Sequence, residues 1–178
     1  MTDTNNETQT EDADQHLPFT GVRRGDGGTY LIIADGSDEF AVAAHYAART
    51  ARARRAALAI AHITDLEDFV HWGKVEAMMR HDLRVQAEKD IWQIAKGINE
   101  DHEIYASLYI KEGAVVDKIL DIIEEDKTIR ALILSGASNA NNQGPLVTYF
   151  SGKGMGKLRI PVIIVPGHLD KEAINAIT

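Results

Sequence analysis

Short apolar runs alternate along this chain with longer stretches in which apolar residues recur at helical spacing. Thr29-Tyr30-Leu31-Ile32-Ile33-Ala34 has the length and content of a buried strand and ends at Asp35-Gly36-Ser37. Ser37 is a favourable N-cap, so a helix is expected from Asp38 to about Arg54. Its small residues Ala43, Ala44, Ala47, Ala48 and Ala51 let it lie close against a sheet. Ala57 to Ile63 reads as a second strand, followed by a linker opening with Thr64-Asp65. From about Lys74 to Ile98, Val75, Met79, Leu83, Ala87, Ile91 and Ala95 recur every four residues, widened by Met78, Ile94 and Ile98. Gly97 and Asn99 supply exit signals for that helix. Glu103 to Ile110 is expected as a third strand, and Glu112-Gly113 turns into a helix from Ala114 to Glu125 whose apolar face is Val115, Ile119, Ile122 and Ile123.

The stretch from Thr128 to Pro166 organises the rest. Ile129 to Leu134 is a strand-like run that breaks at Ser135-Gly136 into a polar loop reaching Gly144. Pro145 then stands where a first helical residue is favoured, because the N–H it lacks would be unpaired there. A last apolar run, Ile160-Pro161-Val162-Ile163-Ile164-Val165, is followed by Asp170, a plausible N-cap for a short helix over Lys171 to Ile177. Strand and helix in alternation give an α/β fold, a parallel sheet with helices on both faces and right-handed crossovers. The loop after Leu134 falls at a strand's carboxyl end, where open parallel sheets bind ligands.

Charge changes this picture only at the N-terminus. Residues 1–18 hold five acidic side chains and no Lys or Arg, which accounts for −5 of the net −8. Residues 1–20 are polar and acidic, and are expected to be a disordered tail ahead of one domain over 21–178. An acidic balance argues against nonspecific nucleic-acid binding, which requires phosphate neutralisation. No apolar run is long enough to cross a bilayer, no secretory signal is visible, and cysteine is absent. A cytoplasmic protein without disulfides or a cysteine nucleophile is the expectation.

In order and spacing these pieces resemble the universal stress protein family over roughly Thr29 to Pro166. The residues that carry the likeness are Asp35-Gly36-Ser37 after an apolar strand, Gly113 at a helix opening, Ala131-Leu132-Ile133-Leu134-Ser135-Gly136, and the run from Ile160 to Val165. The resemblance implies an open five-stranded parallel sheet of the adenine nucleotide alpha-hydrolase-like type, in strand order 3-2-1-4-5. It further implies a homodimer paired through the last strand, at Val162, Ile163, Ile164 and Val165. Family members that bind ATP carry a spaced glycine motif after the fourth strand. Gly136 matches its first glycine, Asn139 replaces the second, and Gly144 could take that role if the loop holds an insertion. Asp35 matches an acidic residue near the nucleoside, and Ile63 falls at the strand end that flanks adenine. ATP or AMP is the implied ligand, held weakly because the phosphate loop is degenerate. A nucleotide-free interaction module on the same dimeric fold is the alternative.

Other motifs lead elsewhere. Gly152-Lys153-Gly154-Met155-Gly156-Lys157 looks suited to phosphate, but it lacks the P-loop spacing and follows no strand. No nucleophile elbow is present, and the histidines show no zinc spacing, so neither a catalytic residue nor a metal ligand is assigned. Arg49, Arg52, Arg54 and Arg55 gather at a helix end, where cations suit the helix dipole. Asp35 has a structural alternative of its own, as a cap for the first helix.

Overall fold

The computed structural model describes residues 27–65, 74–138 and 143–178. The acidic tail and Asn139 lie outside the described residues. In chain order the elements are β1 (Thr29–Ile33), α1 (Phe40–Ala53), β2 (Ala57–Thr64), α2 (Lys74–His102), β3 (Ala106–Glu112), α3 (Val115–Glu125), β4 (Ile129–Gly136), α4 (Pro145–Ser151), β5 (Val162–Pro166) and α5 (Lys171–Ile177). A single 3₁₀ turn, Met155–Lys157, precedes β5. The five strands form one sheet in the order β3-β2-β1-β4-β5, and every pairing is parallel.

Strand alternation splits the core in two. Ile32, Leu58, Ile60 and Ile133 face α1 and α2, packing with Ala43, Ala47, Ala51 and Ile91. Leu31, Ile33, Leu132 and Leu134 face the other way, onto Ile119, Ile122 and Ile123 of α3 and Val147 and Phe150 of α4. Side chains of opposite faces alternate along each strand, so one register step would reverse both cores. Ala43, Ala44, Ala47, Ala48 and Ala51 of α1 are buried, the last three at 0% exposure, which brings that helix's backbone close to the sheet. No helix among the described residues is long and apolar enough to cross a membrane.

The expected boundaries hold for most elements, with two informative departures. Ser37 does not cap α1: that helix starts at Phe40, after Glu39. Ser37 instead belongs to a turn in which its N–H and its hydroxyl both donate to Asp35 Oδ1, at 3.0 and 2.7 Å. A short polar side chain offering its oxygen to the backbone two residues on is the usual basis of an Asx turn. The second departure is α2, which passes through Gly97 and Asn99 and continues to His102. Ile98 is 8% exposed and Ile91 and Ala95 are buried, so packing against the sheet outweighs the low helix propensity of one glycine. A Cβ at Gly97 would meet nothing within 4 Å. Gly97→Ala is therefore expected to stabilise the protein by about 0.5–1 kcal/mol, read from the midpoint of urea unfolding.

The far end of α2 is tied to α1 and α5 through two histidines. His45 Nδ1 lies 3.1 Å from His102 Nε2, and His45 Nε2 lies 3.1 Å from Asn175 Oδ1. With Asn175 accepting, His45 Nε2 carries a proton, its Nδ1 accepts, and His102 Nε2–H donates to it. Burial, then the neighbouring His45, lowers the pKa of His102 below its ordinary 6.5. In the window below that value the unfolded chain binds more protons than the folded one, so stability is full above it and falls as pH drops. Melting from about pH 7.5 to about 5.5 should show this loss, and His102→Gln should reduce it.

Candidate functional site

The register of the sheet places the carboxyl ends of three strands side by side. Ile33 pairs with Ala61 of β2, and Ile32 with Ile133 of β4. Asp35, Ile63 and Ser135 therefore emerge at nearly one level. Here the chain leaves β1 for β2 on one side, while β4 lies on the other, which is the crevice where open α/β sheets take ligands. A cleft of about 1000 Å³ occupies this position. Ile33, Ile63, Val115, Val116 and Leu146 supply its apolar walls, and Asp35, Ser37, His62, Asp65 and Ser135 its polar ones. Small-molecule sites typically span about 300–1,000 Å³ and combine apolar walls with a few placed polar groups.

Three side-chain contacts shape the rim. Ser37 Oγ lies 3.3 Å from Ser135 Oγ, which joins the turn after β1 to the end of β4. Ser138 N–H donates to Glu39 Oε1 at 3.0 Å, fastening the start of the β4–α4 loop to the start of α1. That backbone donor holds the Glu39 carboxyl below its ordinary range. Asp35 Oδ1 is engaged by Ser37, so the local capping role and a place in the cleft wall coincide in one side chain. Gly36 has φ +73°, and a Cβ there would meet nothing within 4 Å. At this position the constraint is backbone conformation rather than space, and a side chain would be strained.

The structure brings Asp35, Ile63 and Gly144 together in this cleft. Gly136 is placed differently. It closes β4 beside β5, where a Cβ would lie 3.2 Å from Ile164 Cγ2, and it does not line the cleft. Sequence reasoning missed His62, Tyr149, Gln143 and Val115 as cleft residues. Their positions follow from which strands are neighbours and at what register, which no local pattern states. Of the four residues expected at a subunit interface, Val165 turns into the chain's own core at 2% exposure, Val162 and Ile163 are half-buried, and Ile164 is 42% exposed. Val165 is therefore closed to a partner, because a parallel edge strand over α1 buries alternate residues against its own helices.

Solved structures share this fold. Universal stress protein UspA from Lactobacillus plantarum superposes with a TM-score of 0.65 at 16% identity, covering 80% of this chain and 99% of that one. The chain has the universal-stress-protein fold. A universal stress protein family member from Burkholderia pseudomallei gives a TM-score of 0.59 at 15% identity, over 80% of this chain and 98% of that one. A universal stress protein solved in complex with cAMP gives 0.54 at 20% identity, over 78% and 96%. No family model and no curated protein matches the sequence. Within the universal-stress-protein fold, the cleft described above lies where β1 separates the two halves of the sheet.

Proposed function

We propose that the chain is a cytoplasmic universal-stress-type protein that holds an adenine nucleotide with modest affinity in the β1–β2–β4 cleft and acts as a homodimer. The observation that carries this reading is the convergence of Asp35, Ile63 and Gly144 from three separate chain segments on one cleft at the switch point. Ile63, Val115 and Val116 offer apolar surface to a base, and Asp35 an acceptor to ribose hydroxyls. The cAMP complex of a protein sharing the fold supports an adenine ligand. Modest affinity follows from the lining: Asp35, Glu39 and Asp65 are carboxylates, and no Lys or Arg lines the cleft among the described residues. A highly charged triphosphate is disfavoured there relative to AMP.

Homodimerisation through β5 rests on the edge of the sheet. β5 is the last strand, with Ile164 exposed on it and Met155, 53% exposed, just before it. Apolar edges of this kind are ordinarily paired or covered.

The same acidic lining favours a second reading, a nucleotide-free interaction module. Mass analysis of small molecules released from the purified protein separates the two: AMP or a related adenine compound is expected near one per chain on the first reading. None should be released, and none should bind when supplied at millimolar concentration, on the second.

A further inference from the structure

A second cavity lies apart from the cleft, at the amino end of the sheet. It is a groove of about 380 Å³ between α2 and the start of β3, the edge strand. Trp92, Ala95 and Lys96 of α2 line one side, and Tyr105 and Ala106 the other. Trp92 is 46% and Tyr105 54% exposed, so two large aromatic side chains share one small surface. Aromatic side chains in such a setting are the usual anchors of a docked chain.

The chain enters the domain close by. A Cβ on Gly27 would lie 2.5 Å from the Arg54 carbonyl and 3.0 Å from Ala56 Cβ. Thr29 pairs with Ala57, and the next residue, Leu58, pairs with Ala106, so entry point and groove share one end of the sheet. Only β2 separates β1 from β3, a lateral distance of about 10 Å. Residues 1–26 precede Gly27, and apart from Met1 and Ala13 the apolar residues of 1–20 are gathered at Leu17-Pro18-Phe19. From Phe19 to Gly27 an extended chain reaches at most about 26 Å, enough to arrive at the groove with slack. Pro18 holds Leu17 in extended backbone, and in extended chain residues two apart point to the same side. Leu17 and Phe19 thus make one apolar face.

Charge runs in matching order on the two partners. Upstream of the groove on α2, Lys89, Trp92 and Lys96 follow one another at helical spacing on one face. Lys89 has no ion pair among the described residues, while Glu88 is taken by Arg84 at 3.4 Å and Asp90 by Gln86 at 2.8 Å. Downstream stand Glu100, Asp101 and Glu103. The terminal segment carries Glu11, Asp12 and Asp14 before its apolar face and Arg23-Arg24 after it. We propose that Leu17 and Phe19 of the chain's own N-terminal segment occupy the Trp92–Tyr105 groove, with the acidic residues toward Lys89 and the arginine pair toward Glu100–Glu103. Tethering supplies the segment at high effective concentration, so two side chains suffice where a free peptide would need more contacts. The inference is independent of what the cleft binds.

Cysteine is absent from the chain, so Gln15→Cys gives one site for a nitroxide label on the full-length protein. Amide signals of Lys89, Trp92, Gln93 and Lys96 should be attenuated, while those of Asp35 and Ile63 in the cleft and Asp117 on α3 keep their intensity. Adding Leu17→Ser and Phe19→Ser should restore the groove signals. Both substitutions lie outside the sheet and its helices, and unchanged shifts in β1 and β4 check that the fold persists. Salt at about 1 M, where the Debye length is about 3 Å, should weaken the attenuation without abolishing it. Attenuation that survives the double serine change overturns the proposal, as does attenuation centred on the cleft or none at the groove. Mixing labelled chains with isotope-enriched unlabelled ones should leave the groove signals intact. Their attenuation in the mixture would make a second copy the occupant and overturn the intramolecular assignment.

Discussion

Phe150→Ala is expected to cost about 3–5 kcal/mol, the largest loss of any single truncation near the cleft. Phe150 is fully buried at 0% exposure and belongs to the core formed with Leu132, Leu134 and Ile123. It is held on α4, a helix of only seven residues. A helix so short has little stability of its own and depends on the side chains that dock it. Leu146 and Val147 are the other buried residues of α4, so truncation removes the bulk of its anchoring surface. Against a typical total of about 5–15 kcal/mol, the loss is about a fifth of the margin or more. The effect should reach the cleft as well. Tyr149 meets the Phe150 ring edge to face, with centroids 5.1 Å apart and planes at 86°, and Tyr149 is a cleft wall. Chemical denaturation should report the loss, and amide exchange should show α4 opening more readily than α1. A cost under about 1.5 kcal/mol would mean that the core closes over the vacancy and that α4 is not anchored as described.

Ile164→Lys is expected to convert the proposed dimer to monomers while leaving the folded subunit nearly as stable as before. The side chain is 42% exposed on the outermost strand, so a lysine can keep its ammonium in water in the isolated subunit. About a two-fold axis the substitution would place two like charges in one apolar interface, since such interfaces are self-complementary. Sedimentation at micromolar concentration should give a dimer for the wild type and a monomer for the variant. Val165→Lys is the contrasting change: at 2% exposure it buries a charge in the subunit's own core and should unfold the chain instead. A wild type that sediments as a monomer, or an Ile164→Lys variant that remains a dimer, would remove β5 as the interface.

The architecture was legible because its signals are local and repeated. The apolar runs at Thr29–Ile33, Ala57–Thr64 and Ile129–Gly136 are strands buried on both faces, and the intervening stretches carry helical spacing. Pro145 opens α4 and Asp170 caps α5, its Oδ1 accepting from Ala173 N–H at 2.7 Å, as their chemistry suggests. Ser37 and Gly97 were misread because another interaction outweighed each residue's usual preference, a neighbouring carboxylate in one case and tertiary packing in the other. Asp35 captures the Ser37 hydroxyl before it can cap α1, and the buried Ile98 carries α2 past its glycine. The cleft was legible in part. Asp35 and Ile63 are strand-end residues and could be placed by order alone. His62 and Tyr149 line one cleft only because β1 lies between β2 and β4, a pairing choice that spans about half the chain.

The central claim, that the switch-point cleft takes an adenine nucleotide, is tested most directly by following backbone amide resonances during titration with AMP. Saturable shifts are expected at Asp35, Gly36 and Ser37, at His62 and Ile63, and at Ala137, Gly144 and Tyr149, all of which line that cleft. The exposed apolar groove of about 380 Å³ between Trp92 and Tyr105, at the opposite edge of the sheet, should remain silent. Absence of shifts at millimolar AMP, or shifts confined to the Trp92–Tyr105 groove, would contradict the account.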